Sequence, residues 1–582
     1  MLERAALQRF SAERGLDVEQ AGTLPGTYVP VFLCLVAVYA LTGVGNPIES
    51  VDGYLYAGAA EFLDLATSHD PRSLLFHKLN QLLASGNKAL GSPIGTYHLL
   101  CWPTVVMAAV GVILMHRLLR RDLGLTPEAS VLGAGLLATS YGYWRYAHEI
   151  EVYVPSIVLI LGVLGLLSAR LRDQHAGFAR FLVPGVIAGL AVLYYQANAI
   201  PLFVAVPVLF LMSGQLLGLV VYGMAGAAIV GAGLLTAYIV DTSAPLGLEP
   251  FIDFLTRRSE EFPAPQPTLG SLARAASAIV RDILSLNWVY GWPPGQDAIA
   301  SLASRHAFYK QGLFFAAERA SVPVFISMLS FCAAGAGLVV LLILGLRAPP
   351  ARSHARRPLV AYLLAWLALH AAVAALLDPT EMEVWIVWLV PMWAVFALVY
   401  DRYAQQQPRQ IPGLLVLALI AVHNLTSGLL IFKDRDSDLY RLEIAGILNV
   451  AQKGDFVLFA GPYPPVVKPV RLLIEDIAAR DRAEADAARF LTPVYSDGET
   501  AVVYRFDEHA MKKVPLDDVL AMIRASGRRL LVTTDTLNPP ERLAKLGDPA
   551  LSERLRRLGA RLSTNAVKVH EGPRGSTFIV AP

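Results

Sequence analysis

Cysteine is scarce in this chain: three in 582 residues, Cys34, Cys101 and Cys332, each inside an apolar stretch and none at CxxC spacing. That excludes a disulfide framework and a zinc ribbon. Charge is scarce as well, at 16% Asp, Glu, Lys and Arg, and a formal net charge of +2 leaves no basic surface for a nucleic-acid partner. There is no GxxxxGK[ST] phosphate loop, no HExxH helix and no Gly-rich dinucleotide fingerprint after a strand. Soluble nucleotide-dependent enzymes and zinc hydrolases are thereby set aside. The first 26 residues also lack the basic start and immediate apolar run of a signal peptide, because Arg4, Arg9 and Arg14 alternate with Glu3, Glu13, Asp17 and Glu19. Residues 1–27 read as a cytoplasmic tail.

What the chain has in excess is apolar surface. With 55% hydrophobic residues and a mean hydropathy of +0.49, it carries more than one soluble core can use. The expected fold class is an α-helical polytopic membrane protein. Crossing the hydrocarbon takes roughly 20 residues of helix. Stretches of that kind fall near 28–45, 98–119, 128–144, 150–170, 216–240, 321–346, 358–377, 383–400 and 411–432. Residues 181–212 are too long for one span, and "YYQANAIP" (Tyr194 to Pro201) breaks them in the middle. Basic clusters at 116–121, 169–180, 346–357 and 400–409 all face the cytoplasm only if 181–212 makes two short segments. About eleven segments result, with the N-terminus inside, the C-terminus outside, and the cell inner (plasma) membrane as location.

The transmembrane domain then covers 28–432, with outer loops 46–97 and 241–320, and residues 433–582 form an extracytoplasmic domain. In the first loop, "ESVDGYLYAGAAEFLDLA" places Leu55, Ala59, Phe62, Leu63 and Ala66 at helical spacing, which predicts an amphipathic surface helix. The second loop carries "LNWVYGWPPGQ", an aromatic piece including Trp292 that suits either the headgroup belt or a sugar site. After Lys433 the charge content rises, and "DFVLFAG", "RLLVTT" and "STFIVAP" alternate with polar helical patterns, so a soluble α/β domain is expected. Gly-rich "GVLGLL" and "AAGAGLVV" read as small residues that let helices approach. The triplet Asn424, Leu425, Thr426 lies within the last span and reads as a chance glycosylation match.

Ionisable residues gather at the outer membrane boundary. Glu49 and Asp52 follow the first span; His69, Asp70, Arg72, His77 and Lys78 lie in the same loop; Arg145, His148, Glu149 and Glu151 occupy the turn between the third and fourth spans; Asp378, Glu381 and Glu383 occupy another outer turn. Carboxylates so near hydrocarbon are costly unless paired or hydrated, which makes acids at one depth a candidate site. If the loops converge, Asp52 and Glu151 form its acid pair, with Arg145, Arg72 and Lys78 for a phosphate. Glu149 reads as a solvated neighbour.

The stretch "YGYWRYAHEIEVYVPSIVLIL" resembles the FWxxAxxxEVYxL signature of GT-C class membrane glycosyltransferases, in the branch near protein O-mannosyltransferases; Trp144, Ala147, Glu151, Val152 and Tyr153 stand at the matching places. "SVDGYLYAGAAEFL" sets Asp52 where those enzymes have an acid just after the first span, and "PRSLLFHKL" is similar to their Pro- and His-containing helix start. In "GLAVLYYQANAIPLFVAVPVL", Tyr195 and Gln196 replace their usual Asn and His. The resemblance covers roughly residues 28–240, more loosely to 432, and not the tail.

The resemblance implies a donor sugar on a polyprenyl phosphate or diphosphate, a glycan, lipid or protein acceptor outside the cytoplasm, and Asp52 as the base that takes the acceptor proton. Glu151 would orient the acceptor or a metal. Arg145, His148, Arg72, His77 and Lys78 would meet the leaving phosphate, with Glu49, Tyr153 and Trp292 as further substrate contacts. No cofactor is required by the sequence; carboxylates with His148 are compatible with Mg²⁺ or Mn²⁺. The alternative is a transporter or flippase for a lipid-linked anion, although no second copy of the first half is visible.

Overall fold

The computed structural model describes residues 25–43, 53, 56, 57, 59, 60, 71–92, 94–172, 177–241, 247–256, 269–295, 323–349, 357–377, 382–406, 411–433, 450, 452, 455–459, 491–496, 501–506, 515–525, 527, 529–538, 549–572 and 575–580. Glu49 and Asp52, with His69, Asp70, Asp378 and Glu381, lie outside the described residues.

The chain is mostly helical, and each of the eleven expected segments contains a helix: Pro25–Leu41, Thr96–Arg117, Pro127–Thr139, Tyr153–Arg172, Leu182–Tyr194, Val206–Met212, Leu216–Asp241, Val324–Arg347, Arg357–Leu377, Leu389–Ala404 and Ile411–Ser427. Among the described residues, six helices are long and apolar enough to cross a membrane: Thr96–Asp122, Tyr153–Leu171, Leu216–Val240, Val324–Arg347, Arg357–Leu376 and Ile411–Phe432. Large apolar side chains such as Leu33, Met224, Phe325 and Leu415 are exposed on these elements, as a surface solvated by lipid requires.

The break expected within 181–212 is real. The helix Leu182–Tyr194 stops where Tyr195 turns to extended backbone (φ −153, ψ 119), and the chain resumes through short irregular turns into Val206–Met212. Buried Asn198 supports the interruption: its amide donates to the Ala191 carbonyl at 2.8 Å and to Ser156 Oγ at 3.1 Å. A carbonyl freed at membrane depth needs such a donor.

Close helix approach occurs elsewhere than in one of the two glycine patches singled out. Gly162 and Gly165 of "GVLGLL" meet nothing within 4 Å, whereas a Cβ on Gly189 would lie 2.7 Å from the Gly226 carbonyl. The pair Gly185 and Gly189, one turn apart, seats the helix Leu182–Tyr194 on Leu216–Asp241. Gly337 of "AAGAGLVV" does face a neighbour: a Cβ built there would lie 2.7 Å from Val416 Cγ2.

The C-terminal region forms a six-stranded mixed sheet: β1 Asp455–Phe459, β2 Leu491–Ser496, β3 Ala501–Phe506, β4 Leu530–Thr533, β5 Ala566–Gly572 and β6 Gly575–Val580, in the order β2-β3-β1-β4-β6-β5. The three expected strands are β1, β4 and β6. β1 runs parallel to β3 and β4, while β2 and the β5–β6 hairpin are antiparallel. The parallel pairing needs a crossover, supplied by the amphipathic helix Leu516–Ala525 between β3 and β4. Leu530, Leu531 and Val532 are buried on both faces, as a central strand demands. The region is the expected soluble α/β unit.

Candidate functional site

The segment Tyr143 to Pro155 owes its shape to Ser140. Thr126 caps the helix Pro127–Thr139, its hydroxyl accepting from Ala129 N–H, and Ser140 then leaves helical geometry at ψ 135. Ser140 Oγ donates to the Leu136 carbonyl at 2.6 Å and accepts from Trp393 Nε1 at 2.9 Å, which fixes the bend. The short helix Tyr141–Tyr146 starts in a new direction and ends in a buried turn leading to the helix Tyr153–Arg172.

In that turn, Arg145 Nη1 donates to Glu149 Oε1 at 2.5 Å, with both side chains 0% exposed. Tyr97 Oη donates to the other oxygen, Glu149 Oε2, at 2.8 Å. Glu149 is therefore not a solvated neighbour; that expectation is corrected. A polar-rich string with no apolar period gives no cue that its middle is sealed, and burial here is tolerable because the carboxylate is paired and doubly hydrogen-bonded. The same pairing commits part of the Arg145 charge inside the protein.

Glu151 is also fully buried, and within electrostatic range of Tyr146, Tyr194 and Tyr195. Glu383, at the start of the short helix Met382–Ile386, accepts from Tyr146 Oη at 2.7 Å and from Tyr153 Oη at 3.0 Å. Tyr153 thus joins the two acid-bearing turns, and its ring stands edge-on to Tyr195 at 5.5 Å. Tyr195 lies within range of Arg72, and Gln196 N–H donates to the Arg72 carbonyl at 2.8 Å. Arg72 precedes the helix Leu74–Ala89, which carries His77 and Lys78. The His77 ring meets Tyr56 at 5.3 Å, and Lys78 Nζ donates to Gln81 Oε1 at 3.3 Å.

The loop after the first helix reaches the same place through Gly53. A Cβ on Gly53 would lie 3.3 Å from Glu149 Oε2 and 3.7 Å from Tyr97. His148 is held from the other side, its ring 2.6 Å from a Cβ built on Gly43, while Trp144 Nε1 donates to Thr42 Oγ1 at 2.8 Å. The described candidates Arg72, Arg145, His148, Glu151 and Tyr153 thus fall around one boundary turn, together with Glu149 and Glu383. Trp292 stands elsewhere: it is 43% exposed and stacks on Trp288 at 6.5 Å, which in turn packs on Phe331. Among the described residues no three His, Cys, Asp or Glu side chains group as metal ligands.

The segment around Ile283 and Ser285 inserts polar backbone into the bundle, and Asn424 receives it. Asn424 Oδ1 accepts from Ser285 N–H at 2.8 Å, and its Nδ2 donates to the Ile283 and Thr139 carbonyls at 2.8 and 2.7 Å. His423 Nε2 contacts the Ser285 carbonyl at 2.9 Å, and Asn287 Nδ2 donates to Tyr141 Oη at 2.6 Å. Asn424 is buried and fully employed, so the triplet is a packing feature. A lone Asn in an apolar span was the available signal. Tyr97, Tyr146 and Asp282 gave no such signal, since a tyrosine at a helix end and an acid on a polar helix face are commonplace.

No protein-family model and no curated protein matches the sequence. Among solved structures, ArnT from Cupriavidus metallidurans bound to undecaprenyl phosphate is similar over 96% of this chain and 100% of its own, at 12% identity and a TM-score of 0.43. The archaeal oligosaccharyltransferase AglB from Archaeoglobus fulgidus, in complex with an inhibitory peptide and a dolichol-phosphate, is similar over 88% of this chain and 69% of its own, at 11% identity and a TM-score of 0.45. The arabinosyltransferase EmbB from Mycobacterium smegmatis covers 75% of this chain and 44% of its own, at 12% identity and a TM-score of 0.30.

Proposed function

We propose that the protein is a GT-C class membrane glycosyltransferase that moves a sugar from a polyprenyl-phosphate or polyprenyl-diphosphate carrier to an extracytoplasmic glycan, lipid or protein acceptor. The observation that carries this reading is the boundary turn itself. Buried Glu151 stands in a segment matching the family signature, beside Glu383 and the Arg145–Glu149 pair, with Gly53 of the first outer loop against Glu149.

In the proposed reaction the acceptor oxygen bonds to the anomeric carbon as the carbon–oxygen bond to the carrier phosphate breaks. Asp52 takes the acceptor proton, and the carrier leaves with its negative charge. Arg72, His77 and Lys78, at and just inside the start of one helix, meet that charge. Arg145, matched by Glu149, shapes the turn, and Glu151 orients the acceptor. Tyr153 and His148 line the same turn, and Glu49 and Trp292 are further candidate substrate contacts. A divalent cation would fall to Asp52, Glu151 and His148, and removal with EDTA followed by Mg²⁺ or Mn²⁺ re-addition tests it separately. The domain plan follows: 1–27 in the cytoplasm, 28–432 in the membrane, and 433–582 outside the inner membrane, so a reporter fused after Lys433 is expected to be active only outside the cytoplasm.

The test is transfer from a labelled polyprenyl-phosphate sugar in proteoliposomes, with cell-envelope extract as acceptor. Asp52→Asn is expected to lower transfer by roughly 10²–10⁴-fold, the usual worth of a positioned base, while the protein stays folded. Unchanged transfer overturns the role of Asp52.

A further inference from the structure

Asp282 sits one residue from the end of the helix Leu269–Ile283, fully buried, and neither carboxylate oxygen has a hydrogen-bond partner among the described residues. It packs so closely on Gly142 that a Cβ there would collide with Asp282 Oδ1. The helix rests on the turn Tyr141–Tyr146, on Met382–Ile386 and on Arg357–Leu377. Besides Arg274 and Arg281 of its own helix, the charged and titratable groups on those elements are Tyr141, Tyr143, Arg145 and Tyr146, Glu383, and Arg357, Tyr362 and His370; of these Arg281 and Glu383 act on it electrostatically. A carboxylate in this seat is both dehydrated and without a donor, whereas the neutral acid meets a much smaller penalty. Burial accordingly pushes the Asp282 carboxyl well above the usual carboxylate range; Arg281 opposes the rise and Glu383 adds to it.

We infer that Asp282 is a proton-binding site that latches the helix Leu269–Ile283 to the turn Tyr141–Tyr146: the neutral acid seats against Gly142, and its ionisation releases the helix. The Asn424 clamp on Ile283 and Ser285 holds the downstream end, so release is a pivot about that clamp. A group whose seated pKa lies above its released value favours seating fully below the released value. Between the two values the preference falls by up to about tenfold per pH unit, and above the seated one it is gone.

Hydrogen exchange of helix Leu269–Ile283, measured on the full chain in lipid nanodiscs across pH and divided by the rate in Asp282→Asn at the same pH, reads this directly. The division removes the intrinsic pH dependence of exchange, and no step depends on sugar transfer, so the latch and the proposed reaction fail separately. The ratio is expected to be flat at low pH, to climb toward tenfold per unit between the released and the seated values, and to level off above the seated one. A flat ratio throughout overturns the latch. If Asp282→Asn does not fold, Arg281→Gln serves, because losing a cation that opposes the raised pKa must move the pH at which the wild-type climb levels off upward. An unmoved or lowered levelling point overturns it equally.

Discussion

Arg145–Glu149 in the boundary turn and Arg557–Glu553 in the helix Pro549–Ser563 are both spaced i,i+4, yet they live in opposite surroundings. The first is 2.5 Å long with both side chains 0% exposed; the second is 3.2 Å long with side chains 72% and 45% exposed. Two charges in water are mutually screened and separately hydrated, so their pairing is nearly indifferent. Two charges sealed in a helix bundle must answer each other, and removal of either strands its partner. Spacing thus tells which side chains meet, while burial tells whether the meeting matters. The buried pair also draws in a second helix through Tyr97, whereas the exposed pair, among the described residues, shares Glu553 with Arg556 of its own helix, at 3.1 Å.

The contrast can be broken in graded steps. Glu149→Ala is expected to have the largest effect, destabilising the folded protein by about 3–5 kcal/mol because the Arg145 guanidinium is left buried with its charge unmatched. Replacing both partners, Arg145→Met with Glu149→Leu, should recover most of that loss in denaturant unfolding, which separates pairing from packing. Asn424→Leu comes next: it strands Ser285 N–H and two carbonyls and should cost about 1–3 kcal/mol in the same measurement. Tyr97→Phe removes one bond to a charged acceptor and should cost about 1.5–3 kcal/mol if Glu149 finds no other donor, less if water enters. Arg557→Ala should change stability by about 0–1 kcal/mol, an effect that vanishes in high salt.

Much of this architecture was legible in the sequence because hydrocarbon is an unforgiving solvent. Eleven apolar stretches became helices, and the interruption at Tyr194 to Pro201 held, because a backbone in lipid must bond internally and an Asn with a Pro marks where it does not. Three strands of the C-terminal sheet were plain as short apolar runs. β2, β3 and β5 were not, since "LTPVYS", "AVVYRF" and "AVKVHEG" mix polar residues into edge or near-edge positions. The site was half legible. Residue types and boundary depth drew attention to Arg145, Glu151 and Glu383, but whether an acid faces water or a neighbour is decided by elements hundreds of residues away. Tyr146 meets Glu383 across 237 positions, and Asn424 reaches Thr139 across 285. Glu149 was misjudged for that reason, and Asp282 passed unnoticed on the polar side of an amphipathic helix.

The most direct measurement is sugar transfer by Glu151→Gln in proteoliposomes loaded with a labelled polyprenyl-phosphate sugar, alongside the wild type and with folding checked by thermal unfolding. The expected result is label moved by the wild type and a loss of roughly 10²-fold or more in the variant at unchanged stability. A folded Glu151→Gln protein that transfers label at the wild-type rate would contradict the assignment of the boundary turn as a glycosyl-transfer site.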